Sequence, residues 1–268
     1  ERSIIVLANR EPFRHDVGFD GSIVTRRSAG GLVTALEPLI EACSGVWVAH
    51  GAGTADRAVV DECDGIEVQS ASRRSYRLRR VWLNQDEQRR YYYGFANEGL
   101  WPLCHRVHVQ PVFRADDFST YQDINRRFAE AVCEEASSES PIVLVQDYHF
   151  ALAPSTIRRR LPGSTIVTFW HIPWPHPRDF AICPWARQLL DGLLDSNIVG
   201  FQTAEDCENF IDTVERWLGV PIDRERNVIT RAGSQTEVRA YPVSVEWPGR
   251  WTRQPLSNDG GKAELCRE

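Results

Sequence analysis

The sequence contains no methionine, and lysine occurs once, at Lys262, so nearly all of its basic charge is arginine. Without methionine, the start at Glu1 is expected to be a trimmed one. No apolar run approaches the roughly 18 residues that a membrane-spanning helix needs. The first residues, ERSIIVLANR, lack the basic start and long apolar centre of a secretion signal, so a cytoplasmic protein that does not enter a membrane is expected. Seven cysteines (Cys43, Cys63, Cys104, Cys133, Cys183, Cys207 and Cys266) are odd in number, scattered and never spaced C-x-x-C. That pattern argues against a zinc cluster and against a disulfide framework, and suits reduced, buried thiols. A positive excess is also lacking: 31 basic residues stand against 37 acidic ones, a formal net charge of −6. A bulk nucleic-acid footprint is thereby excluded, while a local anion site is not.

What remains is ordinary globular material. With 268 residues, 42% hydrophobic and 25% charged, the chain is neither disordered, collagenous nor coiled coil, and it is long enough to bury a large core. The run Ser3–Ala8 is continuous, apolar and β-branched, as in a strand buried on both faces. A polar loop is expected from Asn9 to Ala29. After Gly30-Gly31, the residues Leu32, Ala35, Leu36, Leu39, Ile40 and Cys43 fall on one face of a helix. Further strands are expected at Val46–Ala49, near Ile66–Val68, and at Tyr76–Leu83, Pro141–Gln146, Thr165–Trp170 and Asn197–Phe201. Helices are expected from Asn84 to about Tyr93, and at Phe118–Glu135, Ala151–Arg160, Pro184–Leu194 and Ala204–Leu218. Strands alternating with helices give an α/β fold, a Rossmann-like, mostly parallel sheet with helices on both faces. From Pro248 onward periodicity stops, so residues 248–268 read as an irregular tail behind one domain spanning 1–247.

In such sheets ligands sit beyond the carboxyl ends of the strands. Those ends carry Asn9-Arg10, Asp147-Tyr148-His149, His171 and Gln202. A guanidinium at Arg10 suits a phosphate or carboxylate through two parallel hydrogen bonds. Gly30-Gly31 before a helix offers free backbone N–H groups to an anion, although a glycine pair there is more often turn chemistry. Asp147 can accept from sugar hydroxyls, and His171 can donate or exchange protons; His149 reads slightly better as a core histidine. No His, Cys or carboxylate spacing fits a metal site. The aromatic segment from Tyr91 to Trp101 shows no clear amphipathic period and reads mainly as packing. The pairs Arg26-Arg27, Arg73-Arg74 and Arg79-Arg80 read as solvated surface.

Taken together, these stretches resemble the trehalose-6-phosphate synthase family of retaining glycosyltransferases. The matching residues, in order, are Ala8-Asn9-Arg10, Ser28 to Leu32, Gly45-Val46-Trp47, Tyr91-Tyr92 through Trp101-Pro102, Gln146 to His149, His171 to Pro175, and Gly200 to Thr203. They span about residues 3–247 and imply the N-terminal, acceptor-side half of a two-domain GT-B fold. The resemblance implies transfer of glucose from a nucleotide-glucose, expected to be UDP-glucose, to glucose 6-phosphate. The product would be α,α-trehalose 6-phosphate, formed with retention and without metal or cofactor. It further implies that Arg10, Tyr92 and Trp101 hold the acceptor, that Trp47 lines the same pocket, and that Asp147 and His171 face the reacting sugars. Gly30 and Gly31 would approach the donor diphosphate. The family's proton transfer is ascribed to the leaving phosphate, so no dedicated protein base is expected.

Family members continue into a second domain whose cationic clamp holds the donor diphosphate. Without it, stabilisation worth several kcal/mol would be lost where charge develops, so little or no activity is expected of this chain alone. The exposed wall that would meet a second domain makes a homo-oligomer one further expectation. Two other readings stand beside the synthase: the same chemistry on glycerol phosphate or a cyclitol phosphate, and a non-catalytic sugar-phosphate-binding module.

Overall fold

In the computed structural model, which describes residues 3–28, 30–69 and 74–243, the β-branched runs form the centre of a ten-stranded sheet. In spatial order its strands are β10 (Ile222–Asp223), β11 (Val228–Arg231), β12 (Ser234–Ala240), β9 (Ile198–Phe201), β8 (Thr165–Phe169), β7 (Ile142–Gln146), β1 (Ile4–Leu7), β4 (Val46–His50), β6 (Ser75–Val81) and β5 (Gly65–Gln69). Every pair from β12 to β6 is parallel, and antiparallel pairing occurs only at the two edges.

Successive residues of the central strands point to opposite faces, and each face has its own core. Ile5, Leu7 and Val48 join the larger core together with helix α5 (Ala115–Glu134), through Tyr121, Ile124, Phe128 and Val132. Val6, Ala8, Trp47 and Ala49 join the smaller one with Val33 and Ile40 of α1 (Gly31–Cys43). The remaining helices are α2 (Asp56–Val59), α3 (Gln85–Gln88), α4 (Trp101–His105), α6 (Ala153–Arg160), α7 (Pro177–Phe180), α8 (Ala186–Leu193) and α9 (Ala204–Leu218).

Three regions differ from the sequence reading. The expected loop after β1 contains a hairpin, β2 (Phe13–Val17) paired antiparallel with β3 (Ile23–Arg27). Its turn closes through Gly18 N–H to Ser22 O at 2.7 Å, with Gly21 at φ 80° and the Asp20 carboxylate accepting from Ser22 N and Oγ. β3 buries no residue, so it carries no apolar face to announce it. The expected helix after Asn84 does begin there, with a capping box to Glu87, but continues as a π-helix over Arg89–Leu100 and then as α4. A π-helix closes its hydrogen bonds one residue later than an α-helix, so a 3.6-residue period cannot show. Beyond α9, the strands β10 to β12 extend the sheet where no element was expected, β12 pairing parallel with β9. Residues 248–268, expected as a tail, lie outside the described residues.

Candidate functional site

The chain runs outward from β1 to β4 and β6 on one side, then from β7 to β8, β9 and β12 on the other. At that reversal the connections leaving neighbouring strand ends diverge and open a crevice. A cavity of about 310 Å³ occupies it, lined by Asn9, Arg10, Gly30, Gly31, Leu32, Tyr92, Gln146, Asp147, Tyr148, His149 and His171. Of the residues singled out in the sequence, Arg10, Tyr92, Asp147, His171, Gly30 and Gly31 are thus brought around one space.

Asp147 follows β7 directly. Its Oδ1 accepts from Tyr148 N at 2.9 Å and from His171 N at 3.3 Å. Burial nevertheless dominates these bonds and pushes its carboxyl up to about 7. The residue adopts φ 77° and ψ 167°, a region that strains any side chain with a Cβ and is found mainly where function requires it.

His171 lies just past β8, with Nε2 2.9 Å from Gln146 Oε1. An amide oxygen only accepts, so Nε2 carries the proton and donates, which leaves Nδ1 as the acceptor of the ring. Burial lowers its pKa to about 4, so the ring is neutral at pH 7. His149 is buried between two tyrosines: its ring lies 5.2 Å from Tyr92, 8° from parallel, and 4.2 Å from Tyr148. Burial first, then the neighbouring His171 and Arg10, lowers its pKa to about 3. Its Nε2 is buried without a hydrogen-bond partner, a state rare enough to need a reason. His149 is therefore part of the cavity wall rather than a satisfied core histidine.

Arg10 is carried by the backbone just after β1, whose carbonyl accepts from Trp47 Nε1 at 3.2 Å. Its guanidinium passes close over the start of α1; a Cβ built on Gly30 would stand 3.2 Å from Arg10 Nη1. That close approach is one reason for glycine there. The first turn of α1 contains no acidic residue, so its N–H groups face the cavity end uncompensated.

Two sequence candidates do not reach the cavity. Trp47 is 0% exposed. Its place on β4 sends the indole into the core under α1, because strand side chains alternate between faces; it supports Arg10 from behind instead of lining the pocket. Trp101 is 38% exposed, lies tilted beside His105 with ring centroids 4.1 Å apart, and is not among the lining residues.

The sequence reading gave no role, or a different one, to several others. Gln146 orients His171, and Asn9 accepts from the buried Tyr91 hydroxyl at 3.2 Å. Arg80, expected on the surface, is 0% exposed. It sits between Glu11 Oε2 and Asp56 Oδ1, both at 3.0 Å. Arg26 and Arg27 help line a second cavity of about 530 Å³ that shares Asn9, Arg10 and Tyr92 with the first. A strand-period test at β6 would have found Arg80, because it shares the parity of Tyr76 and Leu78 while Arg79 shares that of Ser75 and Arg77. Among the described residues no group of three or more His, Cys, Asp or Glu is placed to hold a metal ion, and no helix is long and apolar enough to cross a membrane.

Known proteins share this fold. The trehalose-6-phosphate synthase of Mycobacterium ulcerans is 36% identical over 253 residues, covering 92% of this chain and 49% of that protein. A solved structure of an alpha,alpha-trehalose-phosphate synthase (UDP-forming) from Burkholderia vietnamiensis aligns with a TM-score of 0.73 at 24% identity, over 91% of this chain and 48% of its own. The Burkholderia xenovorans enzyme in complex with glucose-6-phosphate aligns with a TM-score of 0.70 at 23% identity, over 91% and 50%. These structures show the shared fold, the mostly parallel half of a GT-B architecture, and the chain spans about half the length of the curated relatives it matches. Residues 2–254 match the model of Glycosyltransferase family 20, and the chain belongs to that family.

Proposed function

We propose that this chain forms the acceptor-side half of a glycosyltransferase of trehalose biosynthesis. The full reaction would move glucose from UDP-glucose to glucose 6-phosphate and give α,α-trehalose 6-phosphate with retained configuration. The observation that carries the reading is the convergence of Arg10, Tyr92, Asp147 and His171 on one cavity at the strand-order reversal. The names of the relatives supply the substrate class: they are trehalose-6-phosphate synthases, one of them seen with glucose-6-phosphate and the Escherichia coli protein with UDP-2-fluoro glucose.

In this reading Arg10 meets the acceptor's phosphate through its guanidinium fork, and Tyr92, backed by His149, offers an aromatic face to the pyranose. Asp147 and the Nδ1 side of His171 take hydrogen bonds from ring hydroxyls. Their burial makes those bonds stronger than in water and leaves an absent ligand group costly. The N-terminus of α1, at Gly30 and Gly31, faces the donor's diphosphate. The reading assigns no metal, no cofactor and no protein base.

Calorimetric titration of this chain with glucose 6-phosphate, beside glycerol phosphate and beside an Arg10→Ala variant, tests it. Binding that favours glucose 6-phosphate and disappears in the variant is expected. Equal weak binding of both ligands would overturn the glucose-specific acceptor.

A further inference from the structure

The hairpin presents an arrangement that its own stability does not explain. Arg14 on β2 and Arg26 on β3 are direct cross-strand partners, and Arg27 stands opposite Phe13. Like charges placed opposite each other weaken a hairpin. A single carboxylate answers both: Asp16 lies 2.9 Å from Arg14 Nε and 3.3 Å from Arg26 Nε. Arg27 pairs with Glu37. Three guanidiniums therefore share two carboxylates, and Arg10 joins them in the wall of the 530 Å³ cavity.

The wall is anchored from below. Arg80 Nη2 donates to Phe13 O at 3.2 Å and contacts His15 Nδ1 at 3.0 Å, while Arg80 Nε donates to Glu11 Oε2 at 3.0 Å. Asp56 Oδ1 accepts from His15 N at 2.7 Å, and Asp56 Oδ2 from Gly53 N at 2.6 Å. This buried node fixes β2 to the ends of β4 and β6, so the arginines project from a held surface. Glu11, itself on the cavity wall, is tied into the node through Arg80.

We propose that the larger cavity is an anion pocket for a phosphomonoester, with Arg14 and Arg26 as its hairpin-borne contacts and Arg10 shared with the smaller cavity. Two guanidinium forks on adjacent strands, whose Cβ atoms are separated by about 5 Å, ask for an anion with more than two oxygens. Asp16 meets each guanidinium at Nε; a phosphate brings three free oxygens and a second charge. The proposal deepens the acceptor reading: it rests on that reading for the sugar, whose ring then extends past Tyr92 toward Asp147.

The test is calorimetric titration of the 268-residue chain with inorganic phosphate and, separately, with glucose 6-phosphate. Wild type is compared with Arg14→Gln/Arg26→Gln, and thermal melting of each confirms folding. Affinity for both probes is expected to fall about tenfold or more in the variant. Unchanged affinity for both would overturn the pocket. If wild type binds the two probes equally and the variant loses both, the pocket stands and the sugar-phosphate acceptor reading falls. Should the glutamine variant fail to fold, Arg14→Lys/Arg26→Lys decides, because it keeps the charge and loses the forks. A weakened folded lysine variant supports the pocket, and wild-type affinity in it overturns the pocket.

Discussion

On the strand-end wall of the crevice, His149 is buried and Asp147 and His171 are half-buried, and all three are pushed toward their neutral forms. On the hairpin wall, Arg14, Arg26 and Arg27 keep half or more of each side chain in water. The first wall gains strength from a dry setting, where each hydrogen bond is strong and each unpaired group is costly. The second gains reach: its charge attracts an anion from solution, and salt weakens it. A ligand with an apolar-faced, hydroxyl-rich body and a charged end matches the pair of walls better than it matches either alone.

The largest expected effect separates the walls by collapsing one. Arg80 is the buried cation between Glu11 and Asp56. Arg80→Met leaves Asp56 buried without its guanidinium and Glu11 without its donor, a loss on the order of 3–5 kcal/mol. Urea denaturation should show that loss, and hydrogen exchange should show protection lost first in the hairpin while β7 and β8 keep theirs. Uniform loss across the sheet would mean that the node supports the whole fold and not one wall.

The titratable groups of the two cavities that sit out of water share a pH signature. Burial raises Asp147 from 3.8 to about 7 and Glu11 from 4.5 to about 8, and lowers His149 and His171 from 6.5 to about 3 and about 4. A carboxyl with a raised folded pKa contributes stability that is present below its unfolded value and lost as pH rises toward the folded one. A histidine with a lowered pKa contributes stability that is lost as pH falls below 6.5. Between about pH 4.5 and 6.5 the unfolded chain holds two histidine protons from this set and the folded chain two carboxyl protons, so the slopes cancel. Stability from these four groups should be flat there and should fall on both sides. Asp147→Asn removes one folded-state proton, and stability should then fall as pH drops through that window, by on the order of 1 kcal/mol per pH unit. His171→Gln should tilt the plateau the other way. Denaturation midpoints at pH 4.5, 5.5 and 6.5 read both, and an unchanged plateau in either variant would remove that group from the balance.

A smaller effect concerns the Asp147 backbone. Asp147→Ala and Asp147→Gly lose the same carboxylate bonds, but only alanine keeps a Cβ at φ 77°. Relief of strain outweighs the unfolded-state entropy of glycine, so the glycine variant should be the more stable by about 1 kcal/mol. Parity between them would mean that the backbone relaxes out of this conformation once the carboxylate is gone.

Much of the dry wall was legible in the sequence. Buried parallel strands read as continuous apolar runs, and Asn9, Asp147 and His171 stand where those runs end. The wet wall was not. β3 is exposed throughout, and a strand without a buried face has no alternation to detect. The π-helix that carries Tyr92 hid its periodicity in the same way. Trp47 was carried to the pocket by the resemblance alone, and its register on β4 turns it into the core; Arg80 was read with Arg79 as a surface pair although it shares the parity of Tyr76 and Leu78. Trp101 was carried to the acceptor by the resemblance alone, and on α4 its ring lies beside His105.

The smallest expected effect is the one that isolates the wet wall's purpose. If Arg14 and Arg26 serve the hairpin, their ion pairs with Asp16 should hold it together. Both side chains are at least half exposed, and such pairs contribute about 0–1 kcal/mol. The two guanidiniums also repel across the strands, and removing both removes that repulsion with the pairs. Arg14→Gln/Arg26→Gln should therefore change the unfolding free energy by less than about 0.5 kcal/mol, read from urea denaturation in phosphate-free buffer. Adding phosphate should raise the melting temperature of wild type more than the variant's, because the folded state that binds the anion more tightly gains more from it. A variant already 2 kcal/mol less stable without phosphate would make Asp16 and its two arginines a structural clasp, and would leave Arg10 as the cation that distinguishes the crevice.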